Sequence, residues 1–178
     1  MKIGLKPHYV IREATINDAL EIRKMHTQSW RDTYQNDEIG VTEEWLKEET
    51  NRWLTDESMD ETRKRFEKSF SNPTEFYRIA ELNNEIVGLL HLMTKDDGAK
   101  HLWGLYTAKD THGTGLAQQL MSLADVWIGD CEVDLEVASY NGRAKAFYRK
   151  CGFLEVGETG ELFRGKIPVT RMIRKAIR

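Results

Sequence analysis

Apolar positions in this chain recur first at helical spacing and then at strand spacing. His8 to Arg12, apolar and β-branched at its centre, predicts a first strand. Ile16, Ala19, Leu20, Ile22 and Met25 then mark one face of a helix running to Trp30 or Tyr34, with Thr15 and Asp18 as a relative of the capping box at its start. A second helical stretch surrounds Trp45, Leu46 and Trp53. Ser58 and Glu61 form a capping box that predicts a third helix towards Phe66 and Phe70, stopped at Asn72-Pro73. Beyond that point the period falls to two. Strands are predicted over 76–80 and 86–93, joined through Asn83-Asn84 as a hairpin, and over 101–107. A helix over 115–128, a strand over 133–137 and a short helix over 143–150 follow, the last ended by Gly152. Residues 153–156 and 169–173 complete the pattern as two final strands. Helices, a hairpin, then strand–helix–strand–helix–strand predict a mixed α/β sandwich of helices on a sheet.

The chain has 178 residues, 40% of them hydrophobic and 10% aromatic, which is enough to bury a real core. We read one domain over residues 8–178, preceded by a short tail at 1–7. The formal charge of −3 excludes the bulk electrostatics of a nucleic-acid binder. No apolar run approaches the roughly 20 residues of a membrane span, and Met1 to Pro7 lacks the apolar segment of a signal peptide. Cys131 and Cys151 have neither metal-ligand spacing nor a disulfide framework, so no metal is expected and a reducing cytoplasm is.

The chemistry is expected at His112-Gly113-Thr114-Gly115-Leu116-Ala117, between a strand and a helix. Glycines there let the backbone approach a ligand, and a helix N-terminus adds about half a positive charge, which suits a phosphate or pyrophosphate. A tight structural turn would use the same residues. Leu116-Ala117 stand where a Walker A loop needs Lys-Ser/Thr, and the loop comes too late in the chain for a dinucleotide fingerprint.

Leu105-Tyr106-Thr107 followed by His112 to Ala117 resembles the acetyl-CoA-binding motif of the GNAT superfamily of N-acetyltransferases, whose pattern is Gln/Arg-x-x-Gly-x-Gly/Ala after a strand. Leu135 to Phe153, with Asn141, Ala144, Phe147-Tyr148 and Gly152-Phe153, resembles the second signature of the same family. The likeness covers residues 76–157 well, the first strand and helix loosely, and 35–72 hardly at all. His112 replaces the usual Gln or Arg, and Ala108-Lys109-Asp110 replaces the usual Pro before the loop. Neither change removes a backbone donor.

The resemblance implies a mostly antiparallel central sheet of about six or seven strands and direct transfer of an acetyl group from acetyl-CoA to an amine. It assigns the cosubstrate to Leu105, Tyr106, Thr107, His112, Gly113, Thr114, Gly115, Leu116, Ala117, Gln118 and Asn141. It implies Tyr148 as the acid that protonates the departing thiolate. For the base it leaves His101, Glu136 and solvent open. His101 stands where several members carry a glutamate, and free imidazole, titrating near 6.5, is a competent base. Glu136 matches a base of the peptide-acetylating branch. Asn141 reads as a cofactor contact and as a helix cap. Arg143, Lys145 and Arg149 read as phosphate contacts or as a solvated helix face, and the two cysteines as packing residues.

The acceptor site is expected in the segment after the first helix. Residues 32–61 carry eleven acids against two bases, whereas Arg143 to Arg178 carries ten bases against three acids. The basic half suits an anionic cosubstrate; the acidic segment with Trp30 and Tyr34 suits a cationic, polyamine-like amine through cation–π contact. Core-facing aromatics on solvated helices fit the same pattern. Two other functions fit the sequence: acetylation of a protein N-terminus, as in ribosomal-protein acetyltransferases, and a non-catalytic CoA-binding module. Homodimers are common in such enzymes.

Overall fold

The structure, a computed structural model, describes residues 7–176. Most of the predicted tail therefore lies outside the described residues. Strand β1 (Val10–Glu13) leads through a 3₁₀ turn (Ile16–Asp18) into α1 (Ala19–Tyr34). The Thr15–Asp18 pair does cap this start: the Asp18 carboxylate accepts from both the Thr15 N–H (2.7 Å) and its hydroxyl (2.8 Å). Arg12 grips the same carboxylate with two 2.8 Å bonds and also holds Glu81, tying α1 to the sheet edge. Helices α2 (Glu43–Asn51) and α3 (Asp56–Ser71) follow. The capping box expected at Ser58 does not start α3. Thr55, three residues earlier, is the cap, its hydroxyl accepting from the Ser58 N–H at 3.3 Å.

Strands β2 (Glu75–Leu82) and β3 (Glu85–Thr94) turn tightly through Asn83 and Asn84, both left-handed (φ 52° and 66°), as a two-residue hairpin requires. Then come β4 (Lys100–Thr107), α4 (Leu116–Ile128), β5 (Val133–Ala138), α5 (Gly142–Lys150), β6 (Leu154–Phe163) and β7 (Ile167–Arg174). The last hairpin is longer than the apolar pattern indicates, because β6 is largely exposed and two register shifts break its alternation.

The seven strands form one sheet in the order β1-β2-β3-β4-β5-β7-β6, antiparallel except for β4–β5. One face is covered by α4 and α5. Leu116, Leu120, Met121, Ala124 and Ile128 from α4 pack there with Leu90, Leu102, Leu135, Tyr148 and Phe153. The opposite face carries α1 and α3, through Ile22, Met25, Met59 and Phe66 against Tyr77, Ile79 and Leu89. Trp30, Leu46 and Trp53 join Ala138 and Ile167 in a third cluster nearer β5 and β7.

Two departures from regularity position the site. β4 and β5 pair only from Lys100/Val133 to Leu102/Leu135, although both strands continue. A bulge accompanies the split: His91 faces Gly104 but Leu92 faces Leu102, leaving Trp103 as the extra residue. Because it shifts the alternation by one, Leu102 and Leu105 reach the same core cluster although they are three apart. Tyr106 is thereby turned towards α1, where its hydroxyl lies 3.3 Å from that of Tyr34.

Candidate active site

The splayed strands open into two cavities, one towards α4 and α5 and one towards α1 and α3. The first has a volume of about 640 Å³. It is lined by the separated half of β4, by the loop residues 111–113 and 115–118, and by Asn141, Arg143, Phe147 and Tyr148 of the α5 region. The second, about 630 Å³, lies between α1, α3 and the tip of the β6–β7 hairpin. The two share Tyr34, Trp103, Tyr106 and Glu136, so they meet where β4 leaves β5.

The loop geometry of the first cavity follows from its glycines. Gly113 (φ 80°) and Gly115 (φ 94°) are left-handed, which an L side chain adopts only with strain. This backbone leaves the N–H groups of Gly113, Gly115, Leu116, Ala117 and Gln118 without a backbone acceptor among the described residues. All five residues line the cavity. Five free donors at a helix N-terminus form a nest for a pyrophosphate. Thr114 does not line this cavity. Its hydroxyl donates to the Thr111 carbonyl (2.7 Å) and lies 2.8 Å from the Tyr9 hydroxyl, so it braces the loop from behind. Tyr9 carries no motif, and only the folded chain brings it there.

Asn141 caps α5, its side-chain oxygen accepting from Ala144 N–H at 3.0 Å, which leaves its amide NH₂ for a ligand. Arg143 and Lys150 line the cavity, whereas Lys145 and Arg149 are engaged by Glu155. Cys151 packs against the α4–α5 core and Cys131 is exposed; both thiols are free. Tyr148 is 8% exposed, and its hydroxyl makes no hydrogen bond to a described residue. Burial pushes the phenol well above its ordinary pKa, so it holds a proton to donate.

In the second cavity, His101 sits on the middle of the three paired levels of β4 and β5, opposite Asp134. Asp134 is held down to about 2: burial opposes its ionisation, but hydrogen bonds from His101, Lys95 and Arg171 outweigh it. An ionised carboxylate can only accept, so His101 Nδ1–H donates to Asp134 Oδ1 (2.8 Å), which leaves Nε2 as the ring nitrogen turned to the cavity's chemistry. Glu136, two residues beyond Asp134, is exposed where the cavities meet.

Trp30 is 1% exposed and wedged by Tyr34, Trp53 and Phe163, so it forms a wall rather than a free surface. The Trp53 face is approached by Arg23 (5.5 Å) and Arg164 (5.7 Å) from the protein itself. Of the acidic segment only Glu49 and Glu61 line the cavity, and Glu49 is flanked by Arg52 and Arg164 at 3.4 Å each. Arg23, His26, Arg65 and Arg164 went unrecognised as site residues; only the spacing of Arg23, His26 and Trp30 along one helix face could have found the first two. His26 lies among Trp30, Trp53, Trp103 and Tyr106. Burial, then the charges of Arg23, Arg65 and Arg164, push its pKa down to about 3, so it is neutral.

The family model for acetyltransferases of the GNAT family matches residues 23–153, which spans every wall of the first cavity and all of the second but its β6–β7 side. The chain belongs to the GNAT family. As a GNAT acetyltransferase it depends on acetyl-CoA, and the loop nest fits that cosubstrate's pyrophosphate. Solved structures share the fold at low identity. The PaiA N-acetyltransferase from Thermoplasma acidophilum, in complex with coenzyme A, is 20% identical over 96% of this chain and 99% of that one, with a TM-score of 0.69. A GNAT-family acetyltransferase from Streptococcus pneumoniae is 23% identical over 96% of this chain and 100% of that one, with a TM-score of 0.71. The ribosomal-protein-S18-alanine N-acetyltransferase from Escherichia coli is 14% identical over 96% of each chain, with a TM-score of 0.66. No curated protein sequence matches the chain. Among the described residues no group of three or more His, Cys, Asp or Glu is placed to hold a metal ion, and no helix is long and apolar enough to cross a membrane.

Proposed function

We propose that this GNAT acetyltransferase moves the acetyl group directly to a primary amine of a small molecule. The observation that carries the reading is the junction of the two cavities at Tyr34, Trp103, Tyr106 and Glu136. There an amine entering from the α1–α3 side meets a thioester entering from the α4–α5 side, with no protein intermediate required. Acetyl-CoA supplies an electrophilic carbonyl carbon and a thiolate leaving group.

The chain's own residues supply the rest. The loop donors of 113–118, with Arg143 and the Asn141 amide, hold the cosubstrate's polar arm. Tyr148 hands its proton to the departing sulfur. An ammonium must lose a proton before it can attack, and His101 takes it through the Nε2 that Asp134 leaves free; Asp134 is a positioning residue. Glu136, at the junction, faces the incoming ammonium. Arginines lining the acceptor cavity oppose a polycationic acceptor. Glu136, Asn141 and Tyr148 also line the first cavity together, which supports peptide N-terminal amines as a second reading. A cytoplasmic site of action accords with acetyl-CoA dependence and with two free thiols.

The test is a panel of small amines and N-terminal peptides with acetyl-CoA, reading free thiol release. Acetyl-CoA binding without thiol release from any amine would refute transfer and leave a CoA-binding module. Release with peptides alone would select the second reading.

A further inference from the structure

The acceptor cavity holds a buried cation with which no carboxylate pairs among the described residues, its partners in the protein being the Trp53 face and a hydroxyl. Arg23, on α1, is only 9% exposed. Its one side-chain hydrogen bond is a 2.7 Å donation to the hydroxyl of Thr62 on α3, and its Nε is buried without a partner. A buried guanidinium normally has a carboxylate across from it. Here, among the described residues, no carboxylate forms an ion pair with Arg23 or Arg65. The nearest charges add to the imbalance. Arg65 and Arg164 both line the cavity and are exposed to it, and Arg164 shares its acid, Glu49, with Arg52. Burial, then the neighbouring charges of Arg65 and Arg164, holds the Arg23 guanidinium down to about 10, still charged at neutral pH. His26, one turn along α1, is neutral, and its ring Nε2 is likewise buried without a partner. Glu61 also lines the cavity, and Glu136 stands at the junction with the thioester site.

We infer that the acceptor carries an oxyanion as well as its amine: a carboxylate or a phosphate-like group held by Arg23, with Arg65 and Arg164 around it, while the amine reaches Glu136. The substrate class is thus a zwitterionic amino acid-like amine rather than a diamine. This inference rests on the acetyl-transfer reading and names the substrate class of the same site.

The experiment compares kcat/KM across ω-aminoalkanoates, ω-aminoalkyl phosphonates, plain alkylamines and diamines of matched length. An anion held by charge-assisted bonds should raise kcat/KM by roughly tenfold or more over the alkylamine, and whether carboxylate or phosphonate gains more identifies the oxyanion. In Arg23→Gln that ratio should fall towards one. Arg65→Gln with Arg164→Gln, both surface side chains, should lower it without burdening the fold. Equal rates across the series, a preference for diamines, or a preference unchanged in both variants would overturn the inference while leaving acetyl transfer standing. If no amine is acetylated, transfer itself fails, and inorganic phosphate binding to the CoA-saturated protein decides the oxyanion site. Binding lost in Arg23→Gln supports it, and absence of binding overturns it.

Discussion

His26 makes acid sensitivity a direct readout of the packing between α1 and β4. The ring is 7% exposed among four aromatic side chains, and its folded pKa is about 3 against 6.5 for the free group. As pH falls through 6.5, the unfolded chain takes up a proton at this position and the folded chain does not. Folding stability therefore drops from about pH 6.5 downwards and continues to drop until pH reaches the folded value. At about pH 4.5, still above that value, the penalty is set by the unfolded histidine alone. Two pH units at 1.36 kcal/mol each amount to about 2.7 kcal/mol, a large share of a marginal stability. Burial also lowers the pKa of His91, against its bond to Glu75, so part of the acid sensitivity comes from there and must be subtracted. The measurement is urea unfolding of the wild type and His26→Phe at about pH 7.5 and pH 4.5. The phenyl ring keeps the aromatic contacts and removes the proton site together with the orphaned Nε2. The variant should lose about 2 to 3 kcal/mol less than the wild type between the two conditions. An equal loss in both proteins would refute the assignment of a buried neutral histidine and, with it, the closure of α1 on β4.

Other substitutions test the site itself. Tyr148→Phe keeps the ring and removes the proton, so turnover should fall by roughly 10² to 10⁴ with acetyl-CoA affinity nearly unchanged; unaltered turnover when chemistry limits the rate would reassign the acid. Gly115→Asp forces a β-carbon and a carboxylate into a backbone at φ 94° beside the phosphate nest, and calorimetry should show acetyl-CoA affinity reduced by at least about tenfold. His101→Ala should reshape the pH dependence of kcat/KM, and Asp134→Asn should shift it, whereas Glu136→Gln should chiefly raise the acceptor KM. If His101→Ala keeps the wild-type profile and Glu136→Gln loses it, Glu136 is the base.

Period and punctuation carried most of the fold. The apolar stripe of α1, the Asn-Asn turn between β2 and β3 and the glycines before α4 are local signals, since each is set by residues within a few positions of one another. One boundary moved: Thr55, three residues before the expected Ser58, caps α3 through its hydroxyl, which accepts from the Ser58 N–H. The exposed β6 has no buried face to impose alternation, so its length was not legible.

The site divides along the same line. Gly113 and Gly115 announce themselves because only glycine accepts their backbone, and the cosubstrate loop with Asn141 and Tyr148 is compact in sequence. Those residues, the helix and strand order and the family likeness were available from the chain alone. The tertiary structure decided what lies far apart in sequence. It set the Trp103 bulge that splays β4 from β5, the bond from His101 to Asp134, and the bracing of Thr114 by Tyr9. It also decided the acceptor cavity. Composition placed an acidic field around residues 32–61, yet most of those carboxylates face away from the cavity while Arg23, Arg65 and Arg164 converge on it from α1, α3 and the β6–β7 turn. Charge counted along a chain is blind to direction, and a helix sends neighbouring residues to opposite sides; which charges meet is settled only when the elements pack.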